Sequence, residues 1–230
     1  MPIDPAAPLE ITAFEWVPEF AQGFVRDLRL RWACEEAGLA YRERLINAVE
    51  RPQWYFAEQP WGQVPALRDG DIRLFESGAI LLYLGERSET LLPREPQPRA
   101  DTIAWLFAAL NTVEPCGIEF ANLNFFGANE EWARLRRPSL EEFIARRLAP
   151  LEQRLAGRDW LTGGFTIADI AMVTVLRELA DSAAMRECPA LAAYIARGLA
   201  RPAFERALAD QLAPFSTHAP QQPTENDDGR

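Results

Sequence analysis

Two residue pairs in the first third of the chain can do chemistry that their neighbours cannot. Val64-Pro65 stands at the start of a short β-rich run, and Glu76-Ser77 stands just before the apolar run GAILLYL. An X-Pro bond is one of the few peptide bonds that is cis at modest cost. A cis Val64-Pro65 bond would turn the Val64 N–H and C=O out of a sheet, where an extended peptide can pair with them as with a strand. The same proline also suits an edge strand, since it lacks the N–H that a ladder needs. Ser77 has the chemistry of a helix cap. The helix N-terminus it would open also offers free N–H groups and partial positive charge to a carboxylate, and Glu76 can take an ammonium.

Other chemistries are excluded by what the sequence lacks. It contains no lysine, and its one histidine, His218, lies in the polar stretch THAPQQPTENDDGR. A Ser-His-Asp triad, a histidine-bound zinc, a Schiff-base lysine and a lysine-bearing phosphate loop are therefore all excluded. Cys34, Cys116 and Cys188 are odd in number and widely spaced with no CxxC. That reads as reduced core thiols, with no disulfide and no metal site. Cys34 shares a helix face with Leu30 and Ala37, which makes it core rather than nucleophile. The net charge of −10 argues against nucleic acid and anionic membranes as partners. No apolar run reaches the roughly 18–20 residues of a membrane span and no signal peptide opens the chain, so a cytoplasmic protein is expected.

The elements that must position the two pairs follow from periodicity and turn chemistry. ITAFEW and AYRERLIN read as strands, with the helix DLRLRWACEEAG between them, its first turn capped by Asp27 and its end marked by Gly38. A strand feeding another through a helix demands a parallel pair. Ala66–Arg68 and Ile72–Phe75 flank Asp69-Gly70-Asp71, a hairpin signal, and GAILLYLGER reads as a helix packed on that sheet. The proline-bearing SETLLPREPQPRAD reads as a linker, after which strand signals stop. Helices are expected over 101–114, near 119–126, and over 139–156, 166–180, 190–200 and 202–212. Thr166 and Asp169 have capping-box spacing, with Phe165 and Ile170 as its hydrophobic staple.

This arrangement resembles the cytosolic glutathione transferase family, through EQPWGQVPAL, LFESGAILLYL, LLPREPQPRA and FTIADI in that order. The resemblance implies an α/β thioredoxin-like N-terminal domain (9–90), a linker (91–100), an all-α helical C-terminal domain (101–216) and a disordered tail (217–230). It further implies that glutathione is the co-substrate, with no metal, and that the chain forms a homodimer. Glu76 and Ser77 would hold the γ-glutamyl end, whose ammonium and carboxylate share one carbon. Val64 and Pro65 would hold the cysteinyl unit, and Gln63 and Gln53 would help with the rest. The function implied is attack of the glutathione thiolate on an apolar electrophile between the domains. The alternative is a binding protein of the same fold that carries a ligand or partner without turnover. A glutathione-dependent peroxidase or thiol reductase is disfavoured, because no active-site cysteine is present.

The chain leaves the family pattern at the first helix, where a Ser, Tyr or Cys usually serves the reacting sulfur. Phe24 or Arg26 occupies that place, and no Ser, Thr, Tyr or Cys lies between Trp16 and Cys34. A thiol of pKa about 8.5 needs roughly 2.7 kcal/mol of preference for its anion to shift by about two units. A guanidinium beside a helix N-terminus supplies energy of that order. Arg26 is the first candidate and Arg29 the second, each balanced against an ordinary surface arginine. Phe20 and Phe24 could line the electrophile pocket or pack on the helical domain, and Arg177 could reach that cleft, though a helix-surface charge is the expectation.

Overall fold

A computed structural model of the chain describes residues 2–219. Strand β1 (Leu9–Phe14) buries Leu9, Ile11 and Ala13 and is a central strand of a four-stranded sheet of order β2-β1-β3-β4. It pairs in parallel with β2 (Arg42–Ile46), as the intervening helix α1 (Asp27–Ala37) requires. The edge strand β2 carries Arg42 and Arg44, whose ion pairs with Glu10 and Glu58 occupy its flank; charges of this kind discourage edge-to-edge pairing. Strands β3 (Ala66–Asp69) and β4 (Ile72–Phe75) form the antiparallel hairpin, turning at Gly70, whose φ of 60° needs a glycine or a similarly tolerant residue. β3 also pairs antiparallel with β1, and α2 (Ser77–Gly85) leaves directly from β4.

Gly38 ends α1 in the left-handed conformation, as expected. The start of α1 differs from expectation. Asp27 does not cap the helix but is its first residue, and its buried carboxylate accepts from Arg31 Nε (2.7 Å) and Gln211 Nε2 (2.7 Å). A carboxylate that meets a buried guanidinium and amide is better satisfied there than on its own backbone.

In the helical half, α3 (Pro96–Phe107) begins inside the span expected as linker. Pro96 and Pro98 lie in its first turn, where a missing N–H forfeits no bond, so residues that read as chain-breaking start a helix. α3 runs through a π-helical turn (Ala108–Val113) into α4 (Glu114–Phe125). α5 (Glu131–Leu155) begins before the expected Ser139 because Pro138 is tolerated within it, on an exposed face where water satisfies the freed carbonyl. α6 (Ile167–Arg177) is buried from Ile167 to Leu176 and opens with the expected capping box of Thr166 and Asp169. Tyr194 and the Leu161 N–H also donate to the Asp169 carboxylate. α7 (Ala183–Arg186), α8 (Pro189–Leu199) and α9 (Pro202–Thr217) complete the helices among the described residues, with α9 packed along α1. Thr217 is thus helical, and 220–230 of the expected tail lie outside the described residues. Among those residues no helix is long and apolar enough to cross a membrane.

Candidate functional site

The two residue pairs meet in one cavity of about 440 Å³ between the halves of the molecule. One wall is the strand entry, with Gln63, Val64 and Pro65 around a cis Val64–Pro65 bond and Gln59 beside them. The Tyr55 hydroxyl donates to the Gln63 carbonyl (2.6 Å) and fixes this segment from behind. A second wall is the first turn of α2, where Ser77, Gly78 and Ala79 line the cavity. N–H groups of a first helical turn have no partner within their own helix and suit an anion. Gly78 stands at a close approach, since a Cβ there would lie 2.4 Å from Leu110 Cδ1 of the π-helical turn and the leucine side chain would have to shift. Leu106, Phe107, Leu110, Asn111 and Glu114 close the cavity from the helical half, and Arg26 enters from the start of α1.

Glu76 has φ 68° and ψ 116°, the one positive φ of a non-glycine residue among the described residues. Such a conformation costs about 1–3 kcal/mol and persists where surrounding structure enforces it, often at functional sites. Here it turns the chain from β4 into α2 and leaves Glu76 on the cavity rim. Ser77 is the first residue of α2 and its hydroxyl makes no capping bond. Its Oγ instead accepts from Arg29 Nη1 at 3.1 Å.

Arg29 is 2% exposed and stands behind the cavity wall rather than on it. Its Nε donates to Thr174 Oγ1 (2.9 Å) and its Nη2 to Glu114 Oε1 (2.8 Å), so one guanidinium joins α1, α2, α4 and α6. The same Glu114 oxygen accepts from Arg26 Nε (2.8 Å). Burial works against the Glu114 charge, but the guanidinium groups of Arg29 and Arg26 outweigh it and hold the carboxyl below the ordinary range. The Arg26 side chain is 34% exposed and, unlike Arg29, faces the cavity.

A second cavity of about 240 Å³ shares Arg26, Gln63 and Val64 with the first and adds Phe14, Phe24, Val25, Arg51 and Glu178. Its aromatic wall is held by Arg177, whose guanidinium lies 4.7 Å from the Phe24 ring centroid and 5.3 Å from that of Phe204. Arg177 Nη1 also donates to the Gly23 carbonyl (3.0 Å). Arg177 is therefore half-buried between the domains, not the surface charge expected, because two rings and a carbonyl receive it better than water at that point. Burial raises the Glu178 carboxyl to about 7, with Arg29 opposing the rise.

The sequence matches the glutathione S-transferase N-terminal domain over residues 20–86 and the C-terminal domain over 118–211. Curated relatives include glutathione S-transferase F10 of Arabidopsis thaliana, 32% identical over 55% of this chain and 62% of its own. Disulfide-bond oxidoreductase YghU of Escherichia coli is 34% identical over 59% and 49%. Maleylacetoacetate isomerase of Rhizobium meliloti is 31% identical over 81% and 92%. The chain thus spans about half to two thirds of the first two relatives and nearly all of the third. The chain belongs to the glutathione S-transferase family.

Solved structures of the family share its fold over most of the chain. A Pseudomonas putida glutathione transferase with one glutathione disulfide bound per subunit has a TM-score of 0.77 and 25% identity, over 87% of this chain and 90% of that one. A Burkholderia graminis glutathione transferase with two glutathione molecules bound per subunit has a TM-score of 0.76 and 27% identity, over 87% of both. The thioredoxin-like half and the helical half are those of the family.

Of the residues read as family site positions, Gln63, Val64, Pro65, Glu76, Ser77 and Arg26 line the first cavity. Gln53 does not. It is exposed at the start of a 3-10 turn (Gln53–Ala57), and buried Gln59 lines the wall instead, its Oε1 accepting from the Trp61 N–H (2.7 Å). Phe24 lines the second cavity, whereas Phe20 stacks on Phe125 (4.8 Å between centroids) and meets Phe126 edge-on, bridging the halves outside either cavity. Gln59 stood within the EQPWGQVPAL stretch. Asn111, Glu114 and Glu178 carried no local signal, since their place follows from how the helices pack. Cys34 is fully buried and burial pushes its thiol up to about 12, which leaves it no thiolate at neutral pH.

Proposed function

We propose that this chain binds glutathione in the first cavity and conjugates its thiolate to an electrophile in the second. The observation that carries this reading is the convergence of the Gln63–Pro65 wall, strained Glu76 and the open first turn of α2 on one cavity. The γ-glutamyl carboxylate would meet the N–H groups of Ser77 and Gly78, its ammonium Glu76, and the cysteinyl backbone Val64. That orientation points the sulfur toward Arg26, on the wall common to both cavities, and Arg26 is the proposed stabiliser of the thiolate. Arg29 holds Ser77 and Glu114 in place and acts as a positioning residue. Phe14, Phe24 and Val25 would offer the electrophile an apolar face. The glutathione disulfide bound in the Pseudomonas relative and the glutathione bound in the Burkholderia relative support the ligand.

A second reading is disulfide reduction, favoured by the second cavity and by the relationship to a disulfide-bond oxidoreductase. The missing cysteine does not weigh against it once two glutathiones take part. One thiolate attacks the disulfide and releases a thiol, and a second glutathione resolves the mixed disulfide, giving glutathione disulfide and a second thiol.

Calorimetric titration with glutathione, followed by assays with chlorodinitrobenzene and with a small organic disulfide, tests these readings. Binding with conjugation is expected. Binding with disulfide turnover alone would select the second reading, and binding with neither would select a carrier. No binding would overturn the proposed site.

A further inference from the structure

The second cavity is lined by one acidic residue that the conjugation reading leaves without a task. Glu178 directly follows α6, and its carboxyl packs against Gly117 of α4, where a Cβ would lie 2.7 Å from Glu178 Oε2. Glycine inside a helix costs about 1 kcal/mol relative to alanine. α4 thus keeps a poor helix former at a point where a methyl group would crowd this carboxyl. The charged groups that face it are Arg26 and Arg29 from α1, Glu114 from α4 and Arg177 from its own helix, with Arg51 in the same cavity. None of them hydrogen-bonds to it: Arg26 and Arg29 donate to Glu114, and Arg177 to Gly23. Burial, reinforced by the nearby Glu114 charge, keeps a large share of this carboxyl protonated at neutral pH. A protonated carboxyl that shares a cavity wall with Arg26 can deliver a proton beside a reacting sulfur.

We propose that Glu178 is the general acid of the second cavity, serving electrophiles that must gain a proton as sulfur adds, of which α,β-unsaturated ketones are the simplest. This rests on the conjugation reading. Glutathione loses its thiol proton to water beside Arg26. The sulfur electron pair forms a bond to the β-carbon, and the alkene pair moves onto the α-carbon and carbonyl. Glu178 donates its proton to the α-carbon, and water returns to the carboxylate the proton that the thiol released. One thiol and one alkene become one thioether with nothing else consumed. Aryl halides need no such acid, because halide leaves with its electron pair.

The test compares wild type, Glu178→Gln and Glu178→Asp with phenylbutenone and with chlorodinitrobenzene. In wild type the ketone rate should fall above about pH 7, where Glu178 ionises, while the aryl chloride rate should not. Glu178→Gln should lose about 100-fold on the ketone together with the falling limb, while its aryl chloride rate should not fall. Glu178→Asp should keep part of the ketone rate and the limb. Equal losses on both electrophiles, a falling limb that survives in Glu178→Gln, or a wild type that conjugates only the aryl chloride would overturn the role of Glu178 and leave the conjugation reading standing. A wild type that binds no glutathione would overturn both.

Discussion

Removing either partner of the Arg29–Glu114 ion pair should have unequal consequences. In Glu114→Gln, Arg29 stays buried at 2% exposure and faces a neutral amide that returns little of its lost hydration. Breaking a buried pair in this way costs about 3–5 kcal/mol. Arg26, at 34% exposure, can turn to water and adds little. In Arg29→Met the buried cation itself is gone, and Glu114 keeps its 2.8 Å contact with Arg26. Thr174 still donates to the carbonyls of α6, while the Thr174 and Ser77 hydroxyls and the Glu114 carboxylate each lose the one donor that Arg29 supplied. The expected cost is about 1–2 kcal/mol, since a packed apolar side chain replaces a buried ion. The two variants should therefore differ by about 1–4 kcal/mol in urea unfolding followed by tryptophan fluorescence at neutral pH. The difference also has a pH signature. Because the folded Glu114 carboxyl lies below its ordinary value of 4.5, its contribution is present above that value and is lost as pH falls through the folded one. The wild-type advantage over Glu114→Gln should shrink over that acid range. A Glu114→Gln variant no less stable than Arg29→Met, or a gap that does not change with acid, would refute the reasoning.

Three further outcomes follow from the first cavity. Ser77→Ala should weaken glutathione binding about tenfold by calorimetry, about 1.4 kcal/mol, with the protein still folded. Unchanged affinity would remove the Ser77 hydroxyl from the γ-glutamyl site and leave only the backbone N–H groups there. Arg26→Ala should raise the pKa of the bound glutathione thiol by about one to two units, read from thiolate absorbance against pH; equal values would remove Arg26 from the mechanism. Gln59→Ala should lower glutathione affinity several-fold while Gln53→Ala leaves it unchanged, and the reverse would restore the assignment made from sequence.

How legible each part was depended on the range of the interactions that decide it. The hairpin, the left-handed Gly38 and the Thr166–Asp169 box are settled within a few residues of chain, and each formed where the sequence marked it. The cavity walls at Gln63–Pro65 and Glu76-Ser77 were legible because they flank that hairpin. Local rules misled where a neighbour overruled them. Pro96 and Pro98 read as linker yet open α3, and Asp27 reads as a cap yet turns to Arg31 and Gln211. Ser77 likewise answers to Arg29, which comes from another helix. Glu114 and Glu178 could not be singled out, because what makes them unusual is the company of α1.

That company ties the thiolate and Glu178 to one set of charges. Arg26, Arg29 and Arg177 bring three positive charges, and Glu114, held ionised, removes one. While Glu178 is protonated the cluster keeps two surplus positive charges for a bound sulfur, and when Glu178 ionises that surplus is halved. The two titrations are therefore coupled: a thiolate pushes the Glu178 pKa up further, and a Glu178 carboxylate pushes the thiol pKa up by the same free energy. Glu178→Gln removes the competing anion and should lower the pH at which bound glutathione ionises. Arg26→Ala moves it in the opposite direction. Opposite shifts on opposite charges would mean that this chain ionises glutathione by electrostatic balance across α1, α4 and α6. A hydroxyl donor at the start of α1 would then be unnecessary, which accounts for a first helix that has none. An unchanged thiol pKa in Glu178→Gln would break that account.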